Sequence, residues 1–292
     1  MCTAGLLQLR DGRLLAYQRY GDLQGRPLFF FHGFPGSRLQ AALLHEHALA
    51  AKICIVAPDR PGFGLSTPSP SRTILSWPDD VAQLADDLGY ARFGVIGVSC
   101  GGPYALACAH RLADRIDYVG TLAGMGPMDV RGLRDGQLRF LRVLFGLARV
   151  HPRLISPLLW LDRRIFRGDA KAAIRAIAPM LTPPDRSLLQ NDAIAAARFA
   201  ASLAEAYRQG IEGAMREAHL IAKPRGFALA DIRIPVHVYQ GDQDRNVPPQ
   251  MGRYVASTLP YGRFRSYPDE GHLSIVLRAF GDCVADFNGA TA

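Results

Sequence analysis

Lysine is nearly missing from this 292-residue chain: Lys52, Lys171 and Lys223 are the only three, so its 34 basic residues are almost all arginine. Against 26 acidic residues this leaves a net charge of +8. Genomic base composition accounts for such arginine usage without a nucleic-acid partner, and no basic run interleaved with aromatics marks a nucleic-acid module. Long apolar runs are also absent. None reaches the about 18 residues that span a bilayer, and Met1 to Arg10 lacks the basic start, apolar core and small-residue cleavage site of a secretory leader. A cytoplasmic protein without integral membrane association is expected. The cysteines (Cys2, Cys54, Cys100, Cys108 and Cys283) are odd in number and scattered, with no CxxC pair. That spacing indicates neither a disulfide framework nor a zinc site, and free buried thiols are expected. With 49% hydrophobic and 21% charged residues, the chain has the balance of a folded globular protein.

What is present is an alternation of strand-like and helix-like segments. Leu6 to Tyr17 reads as two strands around the Asp11-Gly12 turn. Short apolar runs follow at Pro27–Phe31, Ile53–Ala57, Phe93–Val98, Tyr118–Ala123 and Pro235–Gln240. Runs apolar on both faces suit buried parallel strands covered by helices on both sides. Between them lie helical patterns. Ser76-Trp77-Pro78-Asp79 reads as a capping-box-like start, Val81, Leu84, Ala85 and Leu88 share one face, and Gly89 ends the run. The class is therefore α/β. The alternation stops between Pro127 and Arg225, a stretch rich in Ala, Leu and Arg, which reads as a helical insertion. The expected organisation is a core of residues 1–127 and 226–292 with an insertion at 128–225. Residues 131–225 hold 17 basic and 8 acidic residues, so the net positive charge belongs to the insertion. A basic insertion of this kind would favour an anionic substrate, or it would be an ordinary solvated arginine face.

Gly97-Val98-Ser99-Cys100-Gly101 joins an apolar strand to a helix. A serine in so sharp a turn tolerates little bulk around it, hence glycine at both ±2 positions, and the helix N-terminus favours developing negative charge. Ser99 is the expected nucleophile. His32-Gly33-Phe34-Pro35-Gly36-Ser37 follows another buried strand; Pro-Gly suits a type II turn, and Ser37 suits a helix N-cap. The backbone N–H groups of Phe34 and Cys100 are the candidate oxyanion donors. The Cys100 amide matters there rather than its thiol.

A neutral imidazole is the usual base for serine. Among the eight histidines, His272 in Glu270-Gly271-His272 stands between a strand-like segment and a C-terminal helix. His32, beside the proposed oxyanion loop, reads as structural. The orienting acid should come from a strand-end loop between Ser99 and His272. In Gly241-Asp242-Gln243-Asp244 the preferred residue is Asp244; Asp242 would serve an Asx-type turn, and Asp129 is the outside alternative.

HGFPGS (32–37), DRPGFGLS (59–66), GVSCGG (97–102), GDQDRNVP (241–248) and EGH (270–272) together resemble the α/β-hydrolase superfamily over nearly the whole chain. The resemblance implies a mostly parallel eight-stranded sheet with helices on both faces and a helical cap after the sixth strand. It places the acid at Asp244, three residues after its glycine, and gives the triad order Ser, Asp, His. The Asp59-Arg60-Pro61-Gly62 loop matches a family element read as structural, packing near the oxyanion loop. Haloalkane dehalogenases and epoxide hydrolases carry Asp at the elbow, so Ser99 disfavours their chemistry. HGFPGS partly resembles the proline iminopeptidase loop, while DRPGFGLS and GVSCGG depart from it.

The expected activity is hydrolysis of an ester-like bond (carboxylic ester, lactone or thioester) in a small molecule through an acyl-enzyme on Ser99. No metal or organic cofactor is required. Acyl transfer or perhydrolysis, C–C bond hydrolysis and iminopeptidase action would use the same triad. A ligand receptor on this fold is the non-enzymatic alternative.

Overall fold

Runs that are apolar on both faces must be covered on both faces, and that requirement shapes the molecule. The computed structural model describes residues 3–290; Cys2 lies outside them, while Cys54, Cys100, Cys108 and Cys283 are buried and free. The hairpin is β1 (Thr3–Gln8) and β2 (Leu14–Gly21), turned at Gly12 with φ +86°. The apolar runs form β3 (Arg26–Phe31), β4 (Ile53–Pro58), β5 (Phe93–Val98), β6 (Ile116–Leu122) and β7 (Val236–Gly241), and β8 (Gly262–Tyr267) follows. The sheet order is β1-β2-β4-β3-β5-β6-β7-β8. The β1–β2 and β2–β4 pairs are antiparallel and all later pairs parallel.

Alternate side chains serve opposite faces, as the pleat requires. Phe29 and Phe31 join Trp77, Val81 and Tyr104 on one side, whereas Leu28 and Phe30 join Ala41, Leu44 and Phe287 on the other. These partners come from the 3-10 turn Arg38–Leu44 that precedes α1 (His45–Ala50), from α2 (Trp77–Asp87) and α3 (Gly102–Arg111), and from the C-terminal helices. Between β6 and β7 the chain runs through α4 (Arg139–Val150), α5 (Ser156–Phe166), α6 (Ala170–Ile177), α7 (Pro183–Asn191), α8 (Ala193–Ala206) and α9 (Glu212–Ile221). After β7 come α10 (Pro249–Thr258), α11 (Ser274–Arg278) and α12 (Phe280–Gly289). No helix among the described residues is long and apolar enough to cross a membrane.

The capping box sits one turn earlier than the sequence pattern placed it. Thr73 Oγ1 accepts from the Ser76 N–H and Ser76 Oγ accepts from the Thr73 N–H, each at 3.1 Å, across a 3-10 turn leading into α2. Pro78 in the first turn of α2 has no N–H, which leaves Ser76 less to cap.

Chain order reverses between β3 and β5: from β3 the chain crosses outward to β4 and returns to β5 on the other side. The carboxyl ends of β3 and β5 therefore open a crevice, the place where ligands bind in open α/β sheets. His32–Ser37 leaves β3 there, and Ser99 leaves β5.

Candidate active site

Ser99 begins the turn from β5 into α3 with φ +53°, left-handed backbone that side chains other than glycine rarely adopt. Its neighbours explain how the chain tolerates it. A Cβ on Gly97 would lie 2.3 Å from the Gly101 carbonyl oxygen, and one on Gly101 would lie 2.1 Å from that of Phe31. Only glycine permits either approach. The Cys100 thiol is buried, and burial with the nearby Glu217 charge pushes its pKa up to about 12, so it stays protonated.

His272 and Asp244 meet as a buried pair. Asp244 Oδ2 accepts from His272 Nδ1 at 2.7 Å, while Oδ1 accepts from the Asn246 and Val247 N–H groups at 2.8 and 2.9 Å. The Asx-type turn assigned to Asp242 is thus made by Asp244. Asp242 instead accepts from Ser266 Oγ at 2.6 Å and from Arg253, because it faces the β8 side of the loop. Asp129 is exposed and has no part in this pair. Burial alone would push the His272 imidazole down; the Asp244 charge and hydrogen bond, with a further contribution from Asp185, hold its pKa above the ordinary value. With Nδ1 donating to a carboxylate, Nε2 is the basic nitrogen.

The loop after β3 is held from below. Gly33 N–H donates to Gln40 Oε1 at 2.7 Å, and Ser37 caps the following 3-10 turn by accepting from the Leu39 N–H. Gly36 does not have a positive φ, so the expected type II turn is not made. Arg60, with no exposed surface, donates to the carbonyls of His32 (2.6 Å) and Gly33 (3.0 Å). His32 is structural as expected: its Nε2 accepts from the Arg60 N–H at 3.3 Å, and its Nδ1 contacts the Gly33 carbonyl at 2.9 Å. Phe34 N–H has no partner among the described residues, and Cys100 N–H lies in the first turn of a helix, where N–H groups go unpaired.

Ser99, Phe34 and His272 line one cavity of about 120 Å³, closed over by Phe140 of α4, Phe166 of α5 and Phe199 of α8. No arginine or lysine lines it. Arg163, Arg164 and Arg167 lie instead on an outer depression with Trp160. The charge of the segment is therefore a solvated face at these positions, and His272 is the one basic side chain among the residues lining the cavity.

A model of the alpha/beta hydrolase fold family matches residues 26–279. The chain belongs to this family. This alpha/beta hydrolase is 35% identical over 108 residues to the proline iminopeptidase of Xylella fastidiosa (strain 9a5c), covering 36% of this chain and 34% of that one. It is 35% identical over 97 residues to the soluble epoxide hydrolase of Corynebacterium sp. (strain C12), covering 32% of each. The matched stretches span about a third of these relatives. Solved structures share the fold over almost the whole length. An enol-lactonase from Burkholderia xenovorans LB400 superposes with TM-score 0.68 at 21% identity, covering 98% of this chain and 100% of that one. A thermophilic esterase from Thermogutta terrifontis gives 0.66 at 22%, covering 98% and 99%.

Three buried or half-buried carboxylates of this alpha/beta hydrolase escaped sequence reasoning, all of them in the insertion. Glu217 of α9 pairs with Arg60 and Arg72, and Asp185 of α7 accepts from the backbone around His272. Asp162 of α5 lines the cavity, with the Tyr207 hydroxyl donating to it at 3.5 Å. Burial raises the Asp162 pKa to about 6, against a weaker opposing effect of that hydroxyl. Above pH 6 the folded protein thus carries a charge the unfolded chain solvates better, and stability falls as pH rises from about 4 towards and through 6. Asp162→Asn should raise the melting temperature at pH 8 and give no gain at pH 4; equal shifts at both pH values would show that Asp162 carries no such penalty.

Proposed function

We propose that the protein is a serine hydrolase that cleaves ester-like bonds of small neutral substrates through an acyl-enzyme on Ser99. One observation carries the reading: a strained Ser99 and a carboxylate-held His272 open onto the same apolar cavity. His272 Nε2 accepts the Ser99 hydroxyl proton as Oγ attacks the carbonyl carbon, and returns it to the leaving group. The Phe34 and Cys100 N–H groups stabilise the tetrahedral oxyanion. Water, deprotonated by the same imidazole, then releases the acid. Among the described residues no hydrogen bond joins Ser99 to His272; such contacts commonly tighten only once substrate is bound.

The cavity, comparable to the about 150 Å³ space that holds benzene in an engineered core, fits a short or single-ring acyl group. In this reading residues 128–225 form the cap that supplies its apolar walls. A second reading rests on Asp162, whose carboxyl in this cavity has no cationic partner among the described residues: a substrate bearing a free amine, as the proline iminopeptidase relatives' name implies for them.

The test is a panel of p-nitrophenyl esters of increasing acyl length beside an N-terminal prolyl anilide, with fluorophosphonate labelling mapped by mass spectrometry. Rapid cleavage of short-chain esters and label on Ser99 are expected. Preferred cleavage of the anilide would move the assignment to the second reading, and ester turnover with Ser99 unlabelled would overturn the nucleophile.

A further inference from the structure

The His272 ring is held by Asp244, but its backbone is held by a different carboxylate from a different part of the chain. Asp185, in the first turn of α7, is 2% exposed and does not line the cavity. Its Oδ2 accepts from the His272 N–H at 3.0 Å and from the Thr182 hydroxyl at 2.8 Å. Its Oδ1 accepts from the Leu273 N–H at 2.8 Å and the Ser274 N–H at 3.0 Å. Three successive amides of the His272 loop therefore converge on one carboxylate 87 to 89 residues away in sequence.

Gly271 makes that approach feasible. A Cβ there would lie 2.6 Å from both Asp185 carboxylate oxygens and 2.1 Å from Thr182 Oγ1. Its own N–H is turned away, donating to Ser274 Oγ at 2.9 Å. The glycine of Glu270-Gly271-His272 thus leaves room for a carboxylate from the insertion.

We propose that Asp185 is a positioning residue for His272, so that the insertion itself fixes where the base stands. The proposal rests on the reading of His272 as general base. Hydrogen bonds to an ionised acceptor are about twice as strong as neutral ones, and three of them fix the backbone from which the imidazole projects. Asp244 then sets the ring's rotation. The charged groups facing the imidazole are these two carboxylates, Asp244 from the loop after β7 and Asp185 from α7.

The test compares Asp185→Ala, Asp185→Asn and Gly271→Ala with the unmodified protein, using His272→Ala as control and a short-chain p-nitrophenyl ester as substrate. Melting curves establish folding, and kcat, KM and the pH profile of kcat/KM are read. Asp185→Ala should lower kcat about 10²-fold, the scale of an ångström-sized misplacement. KM should stay within about twofold, because the Asp185 side chain does not itself line the cavity. Asp185→Asn keeps a carbonyl oxygen for the Leu273 and Ser274 amides and should recover kcat to within roughly tenfold of the original. Both variants should move the acid limb of kcat/KM to lower pH, since an anion favouring the imidazolium has gone. Gly271→Ala, which retains the charge but crowds it, should lower kcat as well.

A purely structural staple would lower the melting temperature without moving the limb. A folded Asp185→Asn variant with an unshifted limb, or a loss confined to KM, overturns the proposal. If Asp185→Ala does not fold, the Asp185→Asn limb and the Gly271→Ala kcat decide. Full activity of His272→Ala would sink the assignment of the base instead; an inactive His272→Ala beside fully active Asp185 variants would sink this proposal alone.

Discussion

Asp244→Asn should lower kcat about 10⁴-fold with little change in melting temperature, the loss found when an amide replaces the acid of a serine–histidine–acid triad. The hydrogen-bond pattern dictates why. Oδ1 of Asp244 accepts from two backbone N–H groups, so an asparagine must keep its carbonyl oxygen there. Its NH₂ group is then forced into the Oδ2 position, facing His272 Nδ1. A donor at that position can be satisfied only by an unprotonated Nδ1, which moves the imidazole proton to Nε2, the nitrogen that takes the Ser99 proton in the proposed mechanism. The variant keeps its size and both backbone bonds, so the fold survives. Measurement of kcat on a short-chain ester beside a melting curve checks this. A loss of less than tenfold would mean that the histidine tautomer is set by something other than Asp244.

The residues of this pair were legible in the sequence because their signals are local. Ser99 is announced by glycines two positions to either side, and the structure shows each glycine against a backbone atom that would exclude a Cβ. Asp244 and His272 each lie in the loop following a recognisable strand, and β1 to β8 could be read from apolar runs and turns. What stayed hidden is long-range. Nothing near Asp185 or Glu217 in sequence distinguishes them from the other charges of an arginine-rich helical segment, yet each is buried against core residues roughly 90 or more positions away. Pairing across such distances is decided by how helices pack, which periodicity does not encode. Net charge was ambiguous in the same way: arginine count suited either an anionic substrate or a solvated face, and only the packing shows that the segment lines the cavity with apolar side chains and one aspartate, Asp162. Loop detail was the other gap. The turns at Pro35 and Asp242 were read from residue preference, which packing around Arg60 and Ser266 overrode.

Glu217→Ala should lower stability by about 3–5 kcal/mol, the penalty for removing one partner of a fully buried ion pair. For a chain of this size that corresponds to a melting temperature lower by roughly 5–8 °C. Glu217 has no exposed surface and faces two arginines. Oε2 accepts from Arg72 at 2.7 Å and from the Tyr104 hydroxyl at 2.8 Å, and Oε1 lies 2.9 Å from Arg60 Nε, a charge contact whose N–H points off the oxygen. Burial alone would raise the Glu217 pKa, but Arg60 and Arg72 hold it below the usual carboxylate value. Its stabilising contribution is accordingly complete above the unfolded glutamate pKa and is lost as pH falls through the lower folded one. Alanine would strand two buried guanidinium groups, and one of them, Arg60, carries the carbonyls of His32 and Gly33. The loop bearing the Phe34 amide should then loosen, lowering kcat as well as stability. An exposed pair sets the contrast: Arg111 and Asp79 lie 3.7 Å apart in solvent, and Asp79→Ala should change stability by less than about 1 kcal/mol. Urea melts of both variants at pH 7 check the difference. A Glu217→Ala loss no larger than that of Asp79→Ala would show that water reaches the arginines once the carboxylate is gone, and that α9 does not hold the loop after β3 through this residue.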